Sequence, residues 1–236
     1  MATSASAVLL TAATPWESRP LAKALGLLPD GPGLWRGTLG ARRGILLETG
    51  MGGPAAAAAL ERVFGKANGS TPGLIVSTGL CGALQPELRP GDLVVDVHGG
   101  PAELALAAPA AAKKAGVTLH IGAVADADHV LTAAEKRALA GKLRAAAVDM
   151  ESAAVRLWAG GRGSDFLAAR AVLDALAEDA PSQAPEGGSF AAALRFAAAH
   201  WTKLPRLAAT GWRARRGMDA LGRFLSVYLG DLDEHA

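Results

Sequence analysis

Two acidic residues occupy positions from which they could act together on a sugar. Glu151 precedes an apolar stretch that predicts a helix, and Asp174 closes the apolar run 166–173, which predicts a buried strand. A carboxylate directly after a strand of an open α/β sheet lies where such folds form their ligand crevice. One acid could then hold sugar hydroxyls while the other protonates a leaving group, as cleavage of a glycosidic bond requires. The alternative is structural, with Glu151 as a helix N-cap and Asp174 as a turn residue.

A glycine-rich loop, residues 50–53, follows a predicted strand and precedes a predicted helix. Backbone amides of such a loop can hold a pyrophosphate, so a nicotinamide-dependent enzyme is one alternative. However, the third glycine of that fingerprint is missing, and no acidic residue stands about 20 positions further on to bind a ribose. The loop therefore favours a tight turn that approaches another kind of ligand closely.

The composition narrows the class of protein. A chain of 236 residues that is 50% hydrophobic is expected to form one domain, 1–236, with a full core. The single Cys81 excludes an internal disulfide, and the five scattered histidines form no metal-ligand pattern, so we expect no metal and no other cofactor. The first six residues lack the positive charge of a secretion signal, and no apolar run has the roughly 20 residues of a membrane span. A cytoplasmic protein is expected.

Hydrophobic periodicity predicts strands that alternate with helices. Such alternation gives a three-layer α/β/α sandwich around a central mixed sheet. Thr132 and Glu135 have the spacing of a helix capping box, and the cluster 29–33 predicts a turn. The predicted strands are 7–12, 44–48, 74–78, 92–97 and 117–124, and the predicted helices are 16–28, an alanine-rich helix ending at 63, a helix within 99–115, and 132–143.

Four blocks of sequence, taken in order, carry a family resemblance. They are the strand and turn 8–17, the glycine loop 49–53, the segment 75–95, and the Asp-Met-Glu-Ser run at 149–152 together with 170–174. In these blocks the chain resembles the nucleoside phosphorylase superfamily, whose other branches are nucleosidases that hydrolyse methylthioadenosine, adenosylhomocysteine or futalosine. The resemblance implies a nucleoside phosphorylase-like fold and, as in the family, a homo-oligomer.

The resemblance implies a role for each of three carboxylates. Asp174 is implied as the general acid at N7 of an adenine-type base, Glu151 as the acceptor of the ribose hydroxyls, and Glu17 as the group that activates the attacking water. The phosphorylase branch has phosphate-binding arginines where this chain has Glu17 and Ser77, which favours water as the nucleophile. Phosphate held by backbone amides and a displaced arginine stays open as the alternative. Without such a role, Glu17 is a helix-start residue favoured by the helix dipole.

The resemblance also implies which residues contact the substrate. Met150 would pack under the ribose, although a core methionine is the alternative. Leu80 replaces a small hydroxyl residue of many nucleosidases, which suggests an apolar pocket. Val130 and Leu131 stand where an aromatic residue is common, so stacking on the base is expected to be weaker. The full predicted set is Met150, Gly52, Gly79, Leu80, Cys81, Gly82, Val130, Leu131 and Phe166.

The C-terminal segment 189–229 is strongly basic. It carries seven basic residues against one acid, a formal charge of +6 with histidine neutral, and aromatic residues are interleaved with them. This pattern predicts basic amphipathic helices broken at Pro205, which lie on anionic membrane surfaces or cover a partner. The alternative is ordinary packing on the sheet with a solvated basic face. Nucleic acid is not expected as a partner, because no binding module accompanies the charge.

This segment and the Asp-Met-Glu-Ser run are most similar to the hopanoid-associated branch of the superfamily. That similarity implies a nucleoside with a bulky apolar 5′ substituent, such as adenosylhopane, and peripheral contact with the inner membrane surface. The branch usually continues its strand-end acid as Asp-Pro-Ala-Asp, whereas this chain has Asp-Ala-Leu-Ala at 174–177. Two alternatives remain: a soluble methylthioadenosine/adenosylhomocysteine or futalosine nucleosidase, and a non-catalytic nucleoside-binding or membrane-associated protein.

Overall fold

The computed structural model describes residues 7–65, 71–97, 100–179 and 204–234, with side chains of the last range described for 208–232. Strands, singly or in groups of two or three, alternate with helices through these ranges. The strands are β1 (Val8–Ala12), β2 (Leu28–Pro29), β3 (Leu34–Leu39), β4 (Arg42–Glu48), β5 (Leu74–Ala83), β6 (Leu93–Asp96), β7 (Leu119–Ile121), β8 (Val124–Asp126), β9 (Ala147–Asp149) and β10 (Asp165–Asp174). The helices are α1 (Pro15–Ala24), α2 (Gly53–Phe64), α3 (Ala102–Ala115), α4 (Ala133–Lys142), α5 (Ser152–Gly160) and α6 (Leu204–Glu234).

The described strands form one mixed sheet in the order β2-β3-β4-β1-β5-β10-β6-β7, with β9 on β5 and β8 on β9. The central strands β4, β1, β5 and β10 are parallel, whereas β6 lies antiparallel to β10. Leu10 of β1 stands between Leu46 and Val76 of its two neighbours, and each central strand contains a run of apolar residues. Such runs are expected where both faces of a strand are buried.

Helices cover both faces of this sheet. On one face α1, α3 and α6 pack around Leu10, Val76 and Leu167, and on the other α2 and α5 pack around Leu9 and Ile75. A third, smaller cluster lies beneath α4 and is centred on residues 84, 145 and 148. The predicted α/β/α sandwich around a mixed sheet is therefore confirmed.

Several predicted boundaries are wrong. The helix predicted over 16–28 ends at Ala24, because Gly26 turns the chain with φ +65° and the next residues pair with β3. The strand predicted over 74–78 continues to Ala83, since its last part pairs with β10 on one side and β9 on the other. The strand predicted over 117–124 is two strands, β7 and β8. Strands β3 and β9 were not predicted.

The helix α6 uses its apolar side within the fold. It begins at Leu204 with Pro205 in its first turn, where proline is tolerated. The part of the predicted basic segment over 189–203 lies outside the described residues. Phe224 and Tyr228 are fully buried, and the Tyr228 hydroxyl donates a hydrogen bond of 2.8 Å to the carbonyl of Leu104 on α3. Exposed basic side chains remain on the opposite side, at 215, 216 and 223. In the described ranges, no helix combines the length and apolar character needed to cross a membrane.

The contact between α1 and α6 leaves no room for a methyl group at Gly222, where a Cβ would lie 2.6 Å from the Cβ of Ala24. We predict that Gly222→Ala lowers the free energy of unfolding by about 1 kcal/mol, because overpacking outweighs the gain in helix propensity. Gly230→Ala is the matched control on the same helix, since nothing lies within 4 Å of its Cβ, and it should stabilise by up to about 1 kcal/mol. Denaturant unfolding measures both. Equal stabilisation by the two variants would contradict the α1–α6 packing.

Candidate active site

Three elements bring acidic residues to one edge of the sheet. Glu17 lies in the first turn of α1, directly after β1, Glu151 directly precedes α5, and Asp174 is the last residue of β10. Because β1 and β10 both run parallel to β5, their carboxyl ends meet where the ligand crevice of such sheets forms. Each acid is nearly buried, with 6% of Glu17, 9% of Glu151 and 6% of Asp174 exposed.

Glu17 joins the start of α1 to the glycine turn of β5. Its Oε2 accepts hydrogen bonds from the backbone N–H and the hydroxyl of Thr14, at 2.9 and 3.0 Å. Its Oε1 accepts the N–H of Leu80 at 2.9 Å. A Cβ at Gly79, where φ is +140°, would lie 2.6 Å from this Oε1, so only glycine fits between the two segments. Glu17 therefore occupies the helix-start position while its side chain faces inward.

A buried arginine in the middle of β10 connects these groups. Arg170 is 1% exposed, with its Nε 2.6 Å from Asp149 Oδ2 and its Nη1 3.6 Å from Glu151 Oε2. Its Nη2 donates to the hydroxyls of Ser77 and Ser152 at 2.6 and 3.0 Å. Burial alone would lower the pKa of Arg170, but the surrounding carboxylates, Asp149 foremost, more than offset it and keep the pKa above its ordinary value. The arginine is therefore charged and held by four polar side chains, those of Ser77, Asp149, Glu151 and Ser152.

Glu151 lies between this arginine and the glycine loop. Its Oε1 accepts the N–H of Gly52 at 2.8 Å, and its Oε2 faces Arg170. Burial raises the pKa of Glu151, whereas Arg170 and the Gly52 N–H act in the opposite direction. Both oxygens retain lone pairs, so this carboxylate is fixed in place and can still accept hydrogen bonds from a vicinal diol.

Asp174 meets a buried lysine that comes from α4. Lys136, also 1% exposed, donates from its Nζ to Asp174 Oδ2 and to the carbonyl of Ala175, the latter at 2.6 Å. Burial raises the pKa of Asp174, and the hydrogen bond and charge of Lys136 oppose that rise. A buried carboxyl group with a raised pKa can hold a proton for a leaving group.

Other residues of the predicted binding set lie close to these acids. A Cβ at Gly82 would be 3.3 Å from Asp174 Oδ2. Met150 is half-buried between the two acids of the Asp-Met-Glu run. Cys81 is buried, and burial raises the pKa of its thiol far above the ordinary value, so the thiol stays protonated and is no nucleophile. Val130, 44% exposed, and the half-buried Leu131 form the segment that leads into α4.

Two predicted binding residues point elsewhere. Leu80 contributes its N–H to Glu17, but its side chain packs towards α6, where its Cδ2 would be 3.7 Å from a Cβ at Gly217. Phe166 lies near the opposite end of β10, roughly 26 Å along the strand from Asp174. Its ring is in the core, with the guanidinium of Arg156 5.1 Å from its centroid. The structure does not bring Phe166 to the acids.

Several residues that hold the site together are not among the predicted site residues. Arg170 had a signal, because a guanidinium inside an apolar strand requires a counter-charge, and Asp149 in the Asp-Met-Glu run supplies it. Lys136 had no comparable signal, since the apolar residues of α4 are spread around the helix. The described ranges contain no group of three His, Cys, Asp or Glu residues arranged to hold a metal ion.

Comparison with known proteins adds the family and the fold. The family model described as "Phosphorylase superfamily" matches residues 7–96 and 100–204. The structure is similar to the 5′-methylthioadenosine/S-adenosylhomocysteine nucleosidase of Helicobacter pylori, with 17% identity, 98% of this chain and 100% of that chain covered, and a TM-score of 0.69. The corresponding nucleosidase of Neisseria meningitidis has 19% identity and a TM-score of 0.70, with 96% of this chain and 99% of that chain covered. Futalosine hydrolase of Helicobacter pylori has 17% identity and a TM-score of 0.68, with 98% of each chain covered. A search of curated protein sequences gives no match.

Removing the buried arginine should have a large effect on stability. Arg170→Met leaves Asp149 and Glu151 buried without their cation, and we predict a loss of about 3–5 kcal/mol in the free energy of unfolding. The matched control is Arg36→Met, which removes an exposed arginine paired with Asp30 at 2.6 Å and should cost at most about 1 kcal/mol. Both losses are measured by denaturant unfolding at neutral pH. Similar losses in the two variants would rule out the central role assigned to Arg170.

Proposed function

Because the chain belongs to the phosphorylase superfamily, we propose that it cleaves the N-glycosidic bond of an adenine-type purine nucleoside. The observation that carries this proposal is the meeting of Glu17, Glu151 and Asp174, all nearly buried, at the carboxyl edge of the sheet. Such a group of acids fits the cleavage of a sugar through a cationic transition state. The similar solved structures of nucleosidases that act on methylthioadenosine or futalosine add support.

In the proposed reaction each acid acts on a different part of the nucleoside. Asp174 donates its proton to N7 of the base while the bond between C1′ and N9 breaks and its electron pair goes to the base. Positive charge then develops on the ribose ring, and Glu151 stabilises it by holding the two ring hydroxyls. Glu17 takes a proton from the water that attacks C1′. The products are free base and free sugar.

The charges around the proposed nucleophile favour water over phosphate. Asp149, Glu151 and Glu17 surround Arg170, so three carboxylates face one guanidinium. A phosphate dianion would add negative charge to this group, and the arginine already donates to Ser77 and Ser152. Phosphorolysis, with phosphate held by backbone amides, is the alternative within the same reaction class.

For the 5′ substituent we propose a bulky apolar group, such as the one in adenosylhopane. Two apolar side chains support this choice: Met51, 64% exposed, next to the Gly52 amide that binds Glu151, and Val130, 44% exposed, in the segment before α4. The alternative substrates are methylthioadenosine, adenosylhomocysteine and futalosine. Contact with an anionic membrane stays a prediction from charge, since the apolar side of α6 is buried in the core.

Product analysis tests the reaction. We expect adenosine derivatives with methylthio, homocysteinyl and long alkyl 5′ substituents to release adenine and free sugar. The rate should be the same with and without phosphate, and the alkyl derivative should be cleaved fastest.

Asp174→Asn should reduce turnover by at least about 100-fold, because it removes the titrating proton. The matched control is Asp165→Asn, at the exposed start of the same strand, which should leave turnover unchanged. Ribose 1-phosphate as the product would establish phosphorolysis, and an Asp174→Asn variant of normal rate would exclude the assigned acid.

Glu151 should discriminate ribosides from 2′-deoxyribosides. Deleting one hydroxyl leaves a buried acceptor without its donor. The cost is roughly 1–3 kcal/mol of transition-state stabilisation, which is measured as a lower kcat/KM. We predict that Glu151→Gln shrinks this difference, whereas Glu61→Gln, on the exposed side of α2, leaves it intact. The kcat/KM ratio of the two sugars is the measurement. An equal loss on both sugars would instead assign Glu151 to folding at the start of α5.

A further inference from the structure

The strand-end acid and α4 are tied together by more than one contact. Lys136 Nζ bonds both the side chain of Asp174 and the carbonyl of the next residue, Ala175. Asp179, five residues after Asp174, accepts the N–H of Ala133 at the start of α4, at 2.7 Å. The described residues after β10 are therefore held to one helix at two points. The ammonium group of Lys136 reaches Asp174 with 1% of its side chain exposed.

A buried ammonium on the leaving-group acid has a specific electrostatic effect. When Asp174 gives its proton to the base, a carboxylate forms at a site that is 6% exposed. An unpaired carboxylate is costly in such surroundings, whereas one that accepts a hydrogen bond from an ammonium is not. The ammonium contacts Oδ2 and leaves Oδ1 for the base.

We propose that Lys136 is the positioning residue of Asp174: it orients the carboxyl group through Oδ2 and stabilises the carboxylate that remains after proton transfer to the base. The inference rests on the proposed function. In the step itself, the proton passes from the carboxyl group of Asp174 to N7 while the C1′–N9 electron pair goes to the base. Lys136 takes no part in the proton transfer.

Two other charged groups lie near Asp174, and both are more exposed than Lys136. Glu178, on the loop after β10, raises the pKa of Asp174, and Arg213, on α6, lowers it. These two residues are partly exposed and pair with each other at 2.8 Å, so solvent and mutual attraction weaken both effects. Cys81 on β5 also faces Asp174, and its thiol is neutral. Lys136 is thus the dominant charged neighbour of Asp174.

The first test needs no substrate. We expect Lys136→Met to raise the pKa of Asp174 by about 1–3 units, because an opposite charge in contact is lost. Carbon NMR of aspartate-labelled protein measures this pKa, with Asp174→Asn identifying the signal. Lys136→Gln repeats the measurement with N–H donors but no charge. Arg137→Met is the control, since it removes an exposed charge from the same helix and should leave the pKa unchanged. In the wild type, the Nζ nitrogen signal of Lys136 should move at the pH where Asp174 titrates.

The second test uses the cleavage reaction. A general acid must be protonated, so kcat/KM falls as pH rises through the pKa of Asp174. In Lys136→Met this fall should move to higher pH, while the rate at low pH drops about tenfold because the acid is weaker and its carboxylate is unpaired. A structural role alone would lower the rate without moving the pH at which it falls.

The outcomes separate the two proposals. The role of Lys136 is overturned if the pKa of Asp174 is unchanged in both lysine variants. It is also overturned if the Nζ signal of Lys136 does not move at the pH where Asp174 titrates. If the wild type cleaves no nucleoside although Lys136 shifts the pKa of Asp174 in the NMR test, the proposed function fails. The catalytic part of this inference then fails with it. If cleavage occurs and this shift is absent, the proposed function stands and the inference alone is overturned.

Discussion

The ion pair between Arg170 and Asp149 is the interaction on which the rest of the site depends. A guanidinium buried in the centre of a sheet is tolerated only when carboxylates and hydroxyls surround it. Here the partners come from three different segments, because Ser77 lies on β5, Asp149 ends β9, and Glu151 and Ser152 lie at the start of α5. Each of these segments must dock correctly before the arginine is satisfied. The cost of a misplaced segment is therefore high, and the carboxylates are held in one arrangement.

Polar groups at the edge of the sheet each serve two purposes. Glu17 caps the first turn of α1 with one oxygen and binds the backbone of β5 with the other. Asp149 accepts the backbone N–H groups of residues 151 and 152, at 3.3 and 3.1 Å, and also pairs with Arg170. The helix-start role of Glu17 and its role in the proposed reaction are thus compatible. A side chain that is rigid because it completes a helix is also well placed to act on a ligand.

The sequence predicted the parts of the fold that depend on local pattern. The buried runs of β1 and β10, the Thr132–Glu135 capping box and the acid at the start of α5 all follow from residue order. The misses depend on distant partners. β5 continues through Gly79 and Gly82 because strands on both sides pair with it, although glycine usually marks a turn. The contact of Lys136 with Asp174 joins residues 38 positions apart, and nothing in the pattern of α4 points inward.

The attachment of α4 has a consequence for how the protein responds to heat. This helix rests on a small apolar cluster, and within the described ranges residues 133 and 136 bind it to the residues after β10 through polar contacts. Elements with little apolar burial open at a lower free energy than the core. Detachment of α4 would leave the sheet and its other helices folded, while Asp174 loses its contact with Lys136. Inactivation at moderate temperature should therefore precede melting of the sheet and be reversed on cooling.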